Sequence, residues 1–396
     1  MTADVPLQDG WRLVPFREIA QNITERVDDP SASGLDHYVG LEHLDPDTPR
    51  ISRWGSPSDV EATKLRFYPG DVIYARRRAY QRKLGVAQWD GIASAHALVL
   101  RADGEVCLPE FLPYFLQGDQ FHQRALDISV GSLSPTINWT TLAEQEFTIP
   151  PLEGQRGIVQ ILASVDEHIL ALLSTISACA AATDALIGER LFGNDKWPRQ
   201  PLRTVLERAF AGSWGADPGT AAIDLPVIRS TEFTNDGIPA VASPALRAFT
   251  AADLDRLALK PGDVLIEKSG GTEDRPVGRA IEWLEESPAI ASNFVHVLRP
   301  DATVVVPEVL AAALWQLHRR GGTLPFQTAT TNMRNLRMRD YLDLSLPVPP
   351  IAEAERLGEA IRSVRATWSA AQSHLKQTRL LRRTLLTKLL GEHHAQ

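Results

Sequence analysis

Arg76-Arg77-Arg78-Ala79-Tyr80-Gln81-Arg82-Lys83 places five cations, an aromatic ring and an amide in eight positions with no acid among them. Arginine can fork to O6 and N7 of guanine, glutamine to N6 and N7 of adenine, and the remaining cations to phosphates. A solvated basic loop has the same composition. The missing acid partners favour a polyanionic ligand, with Arg76, Arg77, Arg78, Tyr80, Gln81, Arg82 and Lys83 as candidate contacts. A second candidate run, Glu267-Lys268-Ser269-Gly270-Gly271-Thr272-Glu273-Asp274-Arg275, has different chemistry: its carboxylates can accept from cytosine N4, and Lys268, Ser269 and Arg275 can donate. Two polar stretches add small hydroxyls and amides suited to backbone and base-edge contacts. From residues 131–139 they supply Ser132, Ser134, Thr136 and Asn138, and from residues 326–334 Gln327, Thr328, Asn332 and Arg334. A turn seating the next helix would use the same residues.

Catalytic signatures are missing: the sequence has no Gly-x-x-x-x-Gly-Lys-Ser/Thr loop, no Gly-x-Ser-x-Gly elbow and no His-Glu-x-x-His pair. Asp263 with Glu267 and Lys268 suggests a divergent Mg²⁺-dependent nuclease as an alternative. There the Glu and Lys are adjacent, however, and a strand would point them to opposite faces. Glu392-His393-His394 has metal-site residue types at the chain's end, where fraying is expected. Cys107 and Cys179 fit no metal or disulfide spacing and read as reduced thiols. His96 and His296 lie in apolar runs and are expected to be buried structural residues.

Of 396 residues, 44% are hydrophobic and 23% charged, ordinary values for a globular protein with room for two or more domains. No uninterrupted run of eighteen apolar residues and no secretory signal are seen, so the expectation is a cytoplasmic protein without a membrane partner. The net charge of −8 opposes nucleic-acid binding overall. It is unevenly spread, though, with a balance of −5 in residues 1–66 and basic clusters at 76–83 and 319–339. Contact with a polyanion would be confined to those patches.

The elements that must position these residues are written twice. Tyr68-Pro69-Gly70-Asp71-Val72-Ile73 returns as Lys260-Pro261-Gly262-Asp263-Val264-Leu265, an offset of 192. Ile92-Ala93-Ser94 through Arg101 returns as Ile290-Ala291-Ser292 through Arg299, offset 198, and Pro150-Pro151 as Pro349-Pro350, offset 199. A period this long means two domains of one fold, not a solenoid. In each copy Pro-Gly-Asp punctuates a turn before a strand, Val72-Ile73-Tyr74 or Val264-Leu265-Ile266. A second strand follows at 97–100 or 295–298, and then a helix opened by Pro-Glu, at 109–117 or 307–317. Each copy ends in a long helix with apolar steps of three and four. The first seam runs Ile158, Ile161, Val165, Ile169, Leu172, Ile176, Cys179 and Leu186. The second runs Leu357, Ile361, Val364, Trp368, Ala371 and Leu375, is interrupted by Arg382, and shifts to Leu381, Leu385 and Leu389. Gly193-Asn194-Asp195 should end the first helix in αL geometry, which places a domain boundary near Trp197.

The Pro-Gly-Asp-Val-Ile-Tyr-Ala-Arg-Arg-Arg run resembles the specificity (S) subunits of type I restriction–modification systems. So do the strand from Ser94-Ala95-His96 to Leu100-Arg101, Gly131-Ser132 to Asn138-Trp139, and Pro150-Pro151-Leu152 leading into a long helix. Copy two departs from the pattern at its loop and at Glu353-Ala354. The resemblance implies an α+β fold of two similar mixed α/β target-recognition domains, 1–149 and 197–348. They would be joined by long antiparallel coiled-coil helices at 150–196 and 349–396 in an internal pseudo-two-fold repeat. It implies a non-catalytic chain that reads a bipartite, asymmetric site on double-stranded DNA and assembles two methyltransferase subunits and, in a nuclease form, two restriction subunits. S-adenosylmethionine, ATP and Mg²⁺ would belong to those partners. A scaffold that binds proteins and not DNA is the remaining alternative.

Overall fold

Asp71 and Asp263 are almost fully buried in a computed structural model that describes residues 10–46, 48–132, 134–233, 244–330 and 333–391. Each carboxylate closes its Pro-Gly-Asp turn by accepting from a backbone N–H three residues back, Tyr68 or Lys260, at 2.8 Å in both cases. Gly70 and Gly262 take φ of 91° and 90°, the left-handed conformation that favours glycine. The chain falls into two compact units, residues 1–172 with 373–396, and residues 173–372.

The first unit is built on a four-stranded antiparallel sheet in the order Ala20–Ile23, Ala97–Ala102, Val72–Ala75, Leu84–Val86. A second sheet orders Arg26–Val27, Lys64–Phe67, Gly91–Ala93 and Tyr38–Val39, the last pair being parallel. Arg12–Pro15 pairs with Glu146–Ile149 and ties the two ends of the first repeat's β-rich part together. Val72–Ala75 is buried at every position, as are Leu112–Gln117 and the rings of Phe16, Phe121 and Phe147. These three rings lie 5.4–5.7 Å apart between centroids.

The second unit repeats the plan with Leu206–Ala211, Val295–Pro300, Val264–Glu267 and Ala280–Glu282 in one sheet, and Arg199–Pro201 paired with Ser345–Pro347. Again a two-residue strand, Ile290–Ala291, runs parallel to its neighbour Ile223–Ile228. One feature is more developed than in the first unit: a three-stranded sheet of Ser269–Gly271, Met333–Leu336 and Gln327–Thr330, where the described residues of the first unit make only the bridges of Thr136 with Arg77 and Val130.

One expectation about the shorter helices changes and one holds. Pro109-Glu110 lies in a turn, and the helix begins at Leu112 with Pro113 in its first turn. In the second copy Pro307 does open the helix Pro307–Arg319. The proline ring is tolerated wherever the orphan N–H groups fall, so Pro-Glu alone does not fix the start.

The long helices form at Leu152–Ala185 and Ile351–Leu390. The central one continues in π geometry through Leu186–Phe192, and Gly193 ends it at φ −79°, not in the left-handed region. A Cβ on Gly193 would approach the Glu189 carbonyl oxygen to 2.6 Å, so close backbone contact accounts for this glycine. An eighteen-residue window within Leu152–Phe192 has mean hydropathy 1.7, which meets the length and composition of a membrane span without an uninterrupted apolar run. In the first unit its Ile158 and Leu162 share a core with Leu386 and Leu390, so the two stretches run antiparallel. In the second unit Ile187 and Leu191 cluster with Ala354, Leu357 and Ile361, again in antiparallel sense. The seam uses Leu162 in place of Ile161, which is 44% exposed.

Arg382 does not interrupt the seam. It occupies it at 5% exposure, while Leu381 turns to solvent. Its Nε donates to Asp166 Oδ1 and its Nη2 donates to Gln117 Oε1 at 2.8 Å. Asp166 Oδ2 also accepts from the Tyr114 hydroxyl at 3.1 Å. Removing one partner leaves the other desolvated without compensation, at a cost of about 3 kcal/mol. Arg382→Ala should therefore lower the urea midpoint sharply, while Asp166→Leu with Arg382→Met should restore most of it. An Arg382→Ala chain as stable as the parent would show that the pair contributes nothing.

Candidate nucleic-acid interface

Arg78 and Arg82 are the only non-glycine residues with positive φ among the described residues, at 56° and 50°. Each such conformation costs about 1–2 kcal/mol for an L-residue. They bracket one 3₁₀ turn, Ala79–Gln81, that leaves the end of the buried strand Val72–Ala75. Ala79 plugs the core at 1% exposure, so the turn pushes Tyr80 outward, to 54%. Burying the small residue and displaying the large one is the opposite of what hydrophobicity alone would select.

The polar stretch at 131–139 lies against this turn. Ile137 N–H donates to the Arg76 carbonyl at 3.0 Å and Arg78 N–H to the Pro135 carbonyl at 2.9 Å, with a bridge between Arg77 and Thr136. Ser134 and Thr136 are half-buried, Ser132 and Asn138 are exposed, and Asn138 precedes the helix Trp139–Ala143 without a side-chain cap bond. Two runs more than fifty residues apart thus form one surface.

Within that surface the cations differ. Arg77 and Arg78 are exposed, and among the described residues no carboxylate pairs with either. Arg82 pairs with Asp119 at 2.9 Å, and Lys83 Nζ donates to the Leu41 carbonyl at 3.2 Å. Arg76 is half-buried with its Nε unpartnered, and Gln81 is half-buried. His96 joins the group. The expected buried histidine is instead exposed in the turn before Ala97–Ala102, with Nε2 3.1 Å from Arg77 Nη1. Partial burial, then the charges of Arg77, Arg76 and Lys64, hold its imidazole below the ordinary value. A turn signal at Ser94-Ala95 was the clue that it left the strand.

The second copy makes the same junction with other chemistry. Leu336 N–H donates to the Lys268 carbonyl at 2.8 Å, the counterpart of the bond between Ile137 and Arg76. Here the junction extends into the three-stranded sheet, where Ser269 faces Asn335 and Gly271 faces Arg334. Gly271 is required because a Cβ would meet the Arg275 carbonyl oxygen at 2.4 Å. Arg275 and Thr328 are exposed, while Lys268 and Arg334 are half-buried. Ser269 is 6% exposed, and Gln327 spends its amide on the Val277 carbonyl at 2.9 Å. Asn332 lies outside the described residues. Phe294, 43% exposed, occupies the repeat position of His96 and accepts from Lys268 N–H at 2.8 Å through its carbonyl. Sequence reading passed over it.

The nuclease alternative does not survive this geometry. Both Asp263 oxygens accept from Arg299 at 2.8 Å, and Glu267 is held by Arg279 at 2.8 and 2.9 Å. Asp71 and Arg101 make the first pair again at 2.7 and 2.9 Å, so Asp263 belongs to the repeated framework. No group of three metal-ligating side chains occurs among the described residues.

His296 is the half-buried histidine, with Nδ1 unpartnered inside the sheet. Burial, then the nearby Lys268 charge, pushes it down to about 4. The unfolded chain takes up this proton near pH 6.5 and the folded chain only near pH 4. Folded-state stability is therefore lost as pH falls through that window. His296→Leu should flatten the pH dependence of the thermal midpoint there, and an unchanged slope would contradict the assignment.

Residues 55–178 match a family model described as the type I restriction modification DNA specificity domain. The type I restriction enzyme EcoDI specificity subunit of Escherichia coli is 24% identical over 172 residues, 43% of this chain and 37% of that protein. Among solved structures, the type I restriction–modification S subunit from M. genitalium superposes with a TM-score of 0.63 at 13% identity, covering 99% of this chain and 98% of the other. A chain solved in work on complex assembly and conformational transition of the type I R-M system gives 0.54 at 20%, covering 97% and 98%. At these identities the structural likeness speaks for the fold. Together the matches bear out the resemblance in the sequence: the chain is similar to specificity subunits of type I restriction–modification systems.

Proposed function

We propose that this chain is the non-catalytic DNA-reading subunit of a restriction–modification complex. Its two divergent loops would recognise the two halves of a split target on double-stranded DNA. The carrying observation is the turn at residues 76–83. Among the described residues Arg77 and Arg78 have no carboxylate partner and stand beside an exposed Tyr80, on a turn strained at Arg78 and Arg82 and bridged to Thr136. Guanidinium groups without carboxylate partners suit guanine and phosphate contacts, and a projecting ring suits stacking or groove insertion. The second loop meets its polar strand at the same repeat position with Lys268, Arg275, Thr328 and Arg334, which supports two readers of different targets.

The remaining parts of the proposal follow from the similarity. The paired helices would act as an antiparallel spacer and dock two methyltransferase subunits and, in a cleaving complex, two restriction subunits. S-adenosylmethionine, ATP and Mg²⁺ would be held by those partners, in the cytoplasm. At ~1.5 Å per residue a helix of 34 residues spans roughly 50 Å, which would allow half-sites up to about 15 base pairs apart.

The test is to sequence methylated sites in cells with and without the chain. Arg77→Ala or Arg78→Ala should relax or lose one half-site, while Arg275→Ala or Arg334→Ala should affect the other alone. A substitution altering both halves equally would mark a phosphate or folding position. One helical turn inserted after Leu172 and another after Gln372, where the units divide, should lengthen the gap by about one or two base pairs. An unchanged gap would rule out the spacer.

A further inference from the structure

Arg82 belongs to the basic run by sequence but not by geometry. Its Nη2 is 2.9 Å from Asp119 Oδ1, and its Nη1 donates to the Gln117 carbonyl at 3.4 Å. Residues 117–119 form the corner between the helices Leu112–Gln117 and Asp119–Asp127, and each touches the helix Ile351–Leu390. Gln117 Oε1 accepts from Arg382 at 2.8 Å, and Asp119 Oδ2 accepts from the Thr387 hydroxyl at 2.6 Å. A Cβ on Gly118 would come within 3.0 Å of Leu390 Cβ. Burial would raise the Asp119 carboxyl, but the bonds from Thr387 and Arg82 hold it below its ordinary value. A cavity of about 490 Å³, lined by Tyr80, Gln81, Arg82, Asp119, Arg382 and Thr387 among others, separates the turn from the helix. The polar bridge therefore spans a gap that side-chain packing leaves open.

We propose that Arg82 is a positioning residue, clamping the left-handed end of the reading turn to the C-terminal helix through Asp119 and Thr387, so that this helix sets the geometry in which Arg77, Arg78 and Tyr80 are presented. The inference rests on the DNA-reading function proposed above. Among the described residues the second repeat ties its corresponding helix to the central one through Gln316 and Arg319 at Asp184, with no residue of its loop in the bridge. Gly188 stands at the repeat position of Thr387 and His318 at that of Asp119, and the helix Pro307–Arg319 passes through the corner without a break. The dependence on the C-terminal helix is thus specific to one reader. A change at Thr387, which touches the exposed residues of the turn only through Asp119 and Arg82, should alter recognition of the first half-site and leave the second intact.

The test uses the full chain in the complex with which it purifies, and duplexes carrying the sequence methylated in the host. Affinity is measured against salt concentration for Arg82→Ala, Arg82→Lys, Asp119→Asn and Thr387→Val. Each except Arg82→Lys should weaken binding to the first half-site about tenfold, the effect of losing one charge-assisted bond from the bridge. The salt slope should not change. Arg82→Lys should recover part of the loss, and Thr387→Val added to Arg82→Ala should weaken binding no further. A direct phosphate contact gives a different signature: Arg82→Ala lowers the slope by about 0.9 and Thr387→Val is silent, which would overturn the proposal. Should Arg82→Ala fail to fold, the near-isosteric Thr387→Val carries the test alone. If Arg77→Ala and Arg78→Ala leave binding untouched, the DNA-reading function itself fails, independently of the clamp.

Discussion

The buried carboxylate at each Pro-Gly-Asp turn, paired with an arginine of the adjacent strand, is the constraint on which both candidate readers depend. Val72–Ala75 and Val264–Glu267 are buried at all four positions, and apart from Glu267, which Arg279 holds, no alternation of polar and apolar residues sets their register. A slip by one residue would exchange one apolar residue for another with little loss. The carboxylates of Asp71 and Asp263 remove that freedom. Each is satisfied by a backbone N–H at its own turn and by an arginine, Arg101 or Arg299, from the adjacent strand. A slipped register would leave a buried carboxylate without its guanidinium, an uncompensated buried charge. The lock stands at one end of a short strand, and the reading segment leaves from the other.

This arrangement lets the loops diverge while the scaffold stays fixed. The strand delivers residue 76 or 268 to the same place, where a carbonyl accepts from Ile137 or Leu336. Both copies add a bridge one residue further on, Arg77 to Thr136 and Ser269 to Asn335, and beyond it they diverge. One makes a strained single turn that exposes arginine and tyrosine, and the other enters a small sheet rich in glycine and threonine. The strain in the first turn is affordable because Ala79 is packed beneath it and Arg78 and Ile137 hydrogen-bond across it.

How much of this the sequence discloses follows from which interactions are local. The duplication, the four central strands and the two long helices are readable because apolar periodicity and Pro-Gly-Asp spacing record them directly. Arg77, Arg78, Arg82 and Lys83 are indistinguishable in composition, yet two face solvent and two are tied down. That difference arises at residues 119 and 41, far along the chain. His96 misleads because its apolar neighbours belong to two strands, with the turn between them falling on the histidine. Arg382 misleads because a charge in an apolar seam reads as an interruption until Asp166 and Gln117 are seen to receive it. The small sheet at Ser269–Gly271 escapes for the opposite reason: glycine and threonine runs carry loop signals, and only pairing with Met333–Leu336 makes them strands.

Arg382 also shows where the repeat stops being symmetric. At the offset of 199 that relates the two long helices, Asp166 corresponds to Arg365 and Arg382 to Thr183. The first unit therefore seals its helix pair with an arginine–aspartate contact, whereas in the second Arg365 turns to Glu282 and Thr183 bonds to its own helix at the Cys179 carbonyl. The two apolar seams are similar enough to be interchanged, since leucine and isoleucine recur at matching places. The polar layer is not. A half-length chain pairing with its own copy in the same register would set Asp166 against Thr183, which offers a hydroxyl where a guanidinium is needed, and Gln117 would lose its partner as well. Hydrophobic matching supplies affinity between such helices without choosing the mate. A single buried charge layer, costly when mispaired, supplies the choice.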